Sequence, residues 1–79
     1  LGWLDAVHPD DRERVAESWR KTVAEKGVFE TEMRIRKADG AYSPCLCRAV
    51  PVANADGTIR EWIGTCTDIT DEKQRAALV

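Results

Sequence analysis

No apolar run in this 79-residue sequence approaches the roughly 20 residues that a bilayer-spanning helix needs, so no transmembrane segment is expected. The first residues, Leu1-Gly2-Trp3-Leu4-Asp5, lack the basic start and long apolar stretch of a signal peptide. They also lack an initiator methionine, and the segment is read as a piece of something longer. There is one histidine, and no serine or cysteine has a local partner that would make it a nucleophile, so no catalytic residues are expected. Glycines stand singly, which excludes a phosphate-cradling loop. Net charge is only −2 with both signs interspersed, so neither a nucleic-acid partner nor contact with a membrane surface is expected. Three cysteines make an odd count and a poor disulfide framework, which points to a reducing, cytoplasmic setting.

What is present fits one small domain. Hydrophobic residues make up 43% and charged residues 33%, the balance of a globular chain. A chain this short buries only roughly 60–65% of its unfolded surface, so a partner subunit or staple often supplements the core. Pro9 with Asp10 and Asp11 opens a helix at about 9–26, with His8 as its N-cap. Arg12, Val15, Ala16, Trp19, Thr22 and Val23 recur at helical spacing, with Glu13, Glu17, Arg20 and Lys21 opposite, and Gly27 suits the C′ position.

The period then becomes two. Phe29, Thr31, Met33 and Ile35 alternate with charged residues in a strand at about 28–37. Asp39-Gly40 and Asn54-Ala55-Asp56-Gly57 are hairpin turns leading to strands at about 41–53 and 58–68. Thr70, followed by Asp71 and Glu72, is read as the N-cap of an output helix from about 71. One helix over three antiparallel strands is a two-layer α+β unit with two open sheet edges.

Several short pieces, in this order, resemble the C-terminal part of a PAS domain. They are His8-Pro9-Asp10-Asp11-Arg12, Asp39-Gly40-Ala41-Tyr42, Arg48-Ala49-Val50-Pro51-Val52, Asp56-Gly57 and Trp62-Ile63-Gly64-Thr65-Cys66-Thr67-Asp68-Ile69-Thr70, the last resembling the PAC-type motif. The resemblance implies a partial PAS fold: one long helix packed on a three-stranded antiparallel β-meander, then the start of a C-terminal signalling helix. In the family, two earlier strands complete a five-stranded sheet, and the last strand pairs with the first. Their absence would leave the strand at about 58–68 with an open edge. Members sense small molecules, cofactors, light or redox state, or serve as dimerisation platforms, upstream of histidine kinases, cyclic-dinucleotide enzymes or transcription regulators. Pro44 stands where members often carry tryptophan, and a bulge or broken pairing is expected near Ser43-Pro44.

The resemblance assigns Asp68, Ile69 and Thr70 to the signal exit, and it implies a sensory or dimerisation module relaying to an output domain of the same chain, such as the histidine kinase of a two-component system. A ligand would lie between helix and sheet, near Trp19, Phe29, Met33, Ile35 and Cys47, though no cofactor is expected in this piece. A homodimer is the expected assembly. A pure protein-interaction module without ligand is the alternative, with a thiol-based redox or metal site as a third. For that third reading the residues are Cys45, Cys47 and Cys66 on adjacent strands, with His8 as a further metal ligand, though the paired spacing of metal sites is lacking and no metal is expected. A two-residue turn at Asp56-Gly57 sets Cys47 opposite Cys66, whereas a four-residue loop from Asn54 sets Cys45 there. Packing as small buried hydrophobes is the simpler reading of the thiols. Trp3, Trp19 and Trp62 are candidates for an aromatic pocket, but the preferred reading has Trp19 in the core and Trp3 and Trp62 as covers of apolar surface or a dimer contact.

Overall fold

The computed structural model describes residues 2–77. A short 3₁₀ segment, Gly2–Ala6, leads into helix α1, Pro9–Glu25. Strands β1 (Phe29–Arg36), β2 (Tyr42–Ala53) and β3 (Ile59–Asp68) follow, then helix α2, Thr70–Ala77. The strands form one antiparallel sheet in the order β1-β2-β3.

Helix α1 starts where the sequence places its signals. His8 caps it, its Nδ1 accepting the Asp10 amide at 3.1 Å. Val15 is fully buried and Thr22 nearly so, the Thr22 hydroxyl donating to the Ser18 carbonyl at 2.9 Å, so its burial leaves no polar group unmatched. Val23, expected on the buried stripe, is instead 42% exposed, because the sheet lies under the Val15–Trp19–Thr22 line and not under the last turn's flank. The helix also ends differently. Lys26, not Gly27, takes the left-handed conformation (φ 52°), while the Lys26 and Gly27 amides bond back to Val23 and Thr22.

Both hairpins share one geometry. Gly40 and Gly57 hold φ near +86° and +87°, each donating its amide to the carbonyl three residues back, at Lys37 and Asn54. Asp39 and Asp56 accept the amides of Ala41 and Thr58, locking the turns. The second hairpin carries a register shift between Val52 and Ala53, beyond which Cys47 faces Cys66. That settles the two registers left open by the turn in favour of the Cys47–Cys66 pairing.

The interruption expected at Ser43-Pro44 does not occur: both residues pair in register with Ile35 and Arg34 of β1. The reason is that Arg34 turns its backbone groups away from β2. Its amide donates to Asp11 and its carbonyl accepts from His8, so β1 asks nothing of the Pro44 nitrogen. The same bonds alter a second expectation. The outer edge of β1 is not open along its length, because Val7 bridges to Ile35 and the His8 amide binds Arg34.

The core lies between α1 and the inner sheet face. Val7, Val15, Phe29, Met33, Cys45 and Cys47 are buried there, with Leu4, Trp19, Ile35 and Ala49 packed against them. Burying a side chain the size of Phe29 stabilises by about 1.5–3 kcal/mol, and among the described residues six apolar side chains are buried, two of them, Val7 and Val15, fully.

Candidate functional site

The inner face of the sheet is not filled by α1. An apolar groove of about 410 Å³ runs between the 3₁₀ segment, α1 and the strands. Trp19, Phe29, Met33, Ile35 and Cys47, assigned to a ligand site from the sequence, all line it. Trp3 and Trp62 line it as well, so the three tryptophans share one aromatic pocket while Trp3, 40% exposed, also covers apolar surface. Trp19 stands at the centre of an aromatic cluster, its ring centroid 5.3 Å from Phe29, 5.1 Å from Trp62 and 6.0 Å from Trp3. The edge-to-face contacts with Phe29 and Trp3 add about 0.5–1.5 kcal/mol each beyond burial and fix ring orientation, while Trp62 packs tilted against the same ring. Trp19 is itself only half-buried, since one side of it faces the groove.

The groove floor is strand β3. Gly64 lies across from Ala49, and a Cβ on it would sit 3.3 Å from the Arg48 carbonyl oxygen, so the missing side chain lets β2 and β3 approach closely. Cys66 is exposed on this floor and is joined to Cys47 by a cross-strand disulfide, with Cα atoms 4.2 Å apart. Cys45, the third thiol, is buried, points its sulfur toward the Ser43 carbonyl at 3.7 Å, and stays free. His8 is elsewhere, its Nδ1 lone pair occupied by the Asp10 amide, and it does not join the thiols.

At the end of β3 the chain turns into α2. The Ile69 amide donates to the Pro44 carbonyl at 2.9 Å, and the Ile69 carbonyl accepts the Lys73 amide at 3.0 Å as the first bond of the helix. Asp68, and not Thr70, supplies the cap. Its Oδ1 accepts both the Thr70 amide (2.8 Å) and the Thr70 hydroxyl (2.6 Å). The Thr70 hydroxyl, then its amide, hold the Asp68 carboxyl below the usual carboxylate range. Thus Asp68, Ile69 and Thr70 act together, with roles the sequence distributed differently.

A charged lattice beside this joint escaped the sequence reading. Asp11, in the first turn of α1, accepts the Arg34 amide (2.9 Å), Nε (3.0 Å) and Nη2 (2.9 Å). The Arg34 side-chain hydrogen bonds lower the Asp11 pKa from 3.8 to about 2, against the opposing effect of its burial. Arg14 donates to the Thr31 hydroxyl (2.8 Å) and the Glu32 carbonyl (2.7 Å), and Lys73 of α2 pairs with Glu32 at 2.8 Å. The start of α1, the middle of β1 and α2 are therefore tied together. The only sequence trace was Asp11 itself, which reads equally well as an acid placed for the helix dipole.

Comparison with known proteins agrees with this geometry. A sequence profile of the PAS fold matches residues 1–66. The peroxide stress-activated histidine kinase mak1 of Schizosaccharomyces pombe is 33% identical over 67 residues, covering 85% of this chain and 4% of that protein. The sensor protein FixL of Bradyrhizobium diazoefficiens is 32% identical over 72 residues, 91% of this chain and 14% of FixL. This chain thus spans a small fraction of the relatives it matches. Among solved structures, the N-terminal domain of a diguanylate cyclase with PAS/PAC sensor from Marinobacter aquaeolei superposes with a TM-score of 0.84 at 26% identity, covering 91% of this chain and 66% of that one. A sensory box histidine kinase/response regulator from Burkholderia thailandensis superposes with a TM-score of 0.77 at 26% identity, covering 92% and 56%.

Proposed function

This chain belongs to the PAS fold family, and from that premise we propose that it registers a stimulus in the apolar groove and passes it along β3 to α2 and an output domain beyond, such as a histidine kinase of a two-component system. One observation carries this reading: groove and exit share a strand. Trp62, Gly64 and Cys66 form the groove floor, and Asp68, two residues further on, holds the start of α2. Anything that moves the floor acts on the cap of α2, an element with little burial of its own and so readily re-aimed.

The module itself performs no chemistry on a substrate. Among the described residues no helix is long and apolar enough to cross a membrane. On its own the module is expected to hold no coloured cofactor, a reading supported by the exposure of the groove floor at Gly64, Thr65 and Cys66. An absorbance scan of purified protein tests that point; a haem or flavin spectrum contradicts it.

The relay is tested in the full-length protein by measuring output activity in Trp62→Ala and Asp68→Ala. Both are expected to uncouple stimulus from output while leaving the output domain folded. Unchanged signalling in both variants would refute the relay.

A second reading, homodimerisation, rests on the other sheet face, where Ile63 is 56% and Leu46 37% exposed. Light scattering across concentrations is expected to show a dimer that Ile63→Glu dissociates; a monomer at every concentration removes this reading.

A further inference from the structure

We propose that Cys47 and Cys66 are a reversible dithiol/disulfide couple, oxidised by a hydroperoxide that meets Cys66 from the groove, and that its state sets how firmly the end of β3 is held where α2 begins. The second half rests on the sensory reading above; the first half does not.

The two cysteines differ in the way such chemistry requires. Cys66 is exposed on the groove floor, whereas Cys47 directly opposite is 4% exposed. The exposed thiol meets the oxidant first and the buried one resolves. The Cys66 thiolate attacks the O–O bond of R–OOH, forming an S–O bond and releasing R–O⁻, which takes up the thiol's proton as alcohol or water. The Cys47 thiolate then attacks that sulfenic sulfur. An S–S bond forms, the S–O bond breaks, and hydroxide leaves as water with the Cys47 proton. The thiols lose two electrons in total and the peroxide gains them. A small dithiol reverses the reaction by exchange through a mixed disulfide at exposed Cys66. The apolar walls of Trp19, Phe29 and Trp62 admit a small neutral hydroperoxide more readily than a charged peptide disulfide. In a reducing compartment a disulfide of this kind is transient, which suits a signal better than a structural staple.

The consequence for α2 follows from position. Among the described residues β2 is the only strand that pairs with β3, and the Cys47–Cys66 bond is the one covalent tie between them. It lies two residues before Asp68. Reduction removes that tie, and the Asp68 joint is then held only by non-covalent contacts: the β2–β3 backbone pairing, the Ser43 side chain and the Lys73–Glu32 pair.

The test uses the full chain, reduced and then treated with hydrogen peroxide, tert-butyl hydroperoxide or glutathione disulfide. Differential alkylation and mass spectrometry follow each thiol. Cys47 and Cys66 are expected to lose reactivity together with either hydroperoxide and regain it with dithiothreitol, while Cys45 stays reduced. In Cys47→Ser, dimedone is expected to trap a sulfenic acid at Cys66. Oxidation that spares this pair, joins Cys45, or requires glutathione disulfide overturns the couple. Hydrogen exchange of the α2 amides in the same oxidised and reduced wild-type samples reads the second half, with exchange about threefold or more faster on reduction. Equal exchange in both states overturns the link to α2, even where the thiol chemistry holds. Trp62→Ala, measured alongside, then separates failure of this switch from failure of the sensory reading.

Discussion

The Ile69 amide donates to the Pro44 carbonyl at 2.9 Å, and Pro44 has no N–H to give back. In an ordinary antiparallel pair the second bond would run from residue 44 to the Ile69 carbonyl and continue the ladder. That carbonyl instead accepts the Lys73 amide and opens α2. Strand β3 ends where its neighbour stops donating, so a residue 25 positions earlier in the chain decides where the exit helix begins.

Restoring the donor should therefore blur the joint. In Pro44→Val the new amide competes with Lys73 for the Ile69 carbonyl, in a balance worth about 1 kcal/mol either way. The Lys73 amide is expected to lose exchange protection by NMR while residue 44 gains it. If Lys73 protection stays at its wild-type value, this account of the strand end is wrong.

The Asp11–Arg34 clamp makes stability depend on acid. The folded-state pKa of Asp11, about 2, lies below its ordinary 3.8, so its contribution is complete above about pH 5 and is lost as pH falls through about 2. Asp68 and Asp56 are shifted in the same direction and add to the same acid limb. Because Arg34 is half-exposed, the Asp11 share is put at about 1–2 kcal/mol. Urea titrations at pH 7 and pH 2.5 are expected to show Asp11→Asn less stable than wild type at both, with the difference at pH 2.5 reduced to about a third of that at pH 7. A constant difference across that window would contradict the pairing.

Lys26 occupies a left-handed conformation that a side chain resists. Lys26→Gly is expected to stabilise the fold by about 0.5–1 kcal/mol, a rise of several degrees in Tm for a domain of this size, less what is lost with the Lys26 contact to the Gly57 carbonyl. Calorimetry showing a lower Tm would mean that the tether to the second hairpin outweighs the backbone strain.

Gly64 is needed for the approach of β3 to β2. Gly64→Val is expected to cost about 1–3 kcal/mol by forcing the Arg48 carbonyl and Ala49 apart. Adding Ala49→Gly should recover part of it, because the Ala49 Cβ lies 3.5 Å from where the new Cβ would sit. Strict additivity of the two changes in denaturant melts would show that the crowding lies elsewhere.

Much of this protein was legible in its residues alone. Period-two alternation from Phe29 and the two Asp-Gly turns specify strands and hairpins, because side-chain direction and a positive-φ turn are local properties. His8-Pro9-Asp10 marks a helix start for the same local reason. Tertiary closure decided the rest. The Val52/Ala53 shift is what selects Cys47 as the partner of Cys66 from the two registers the turn residues left open. Asp11 meets Arg34 across 23 positions of sequence, and Trp3, Trp19 and Trp62 converge from a 3₁₀ turn, a helix and a strand. A sequence pattern states which face a residue prefers; which partner waits there depends on how separate elements pack, and only the folded chain supplies that.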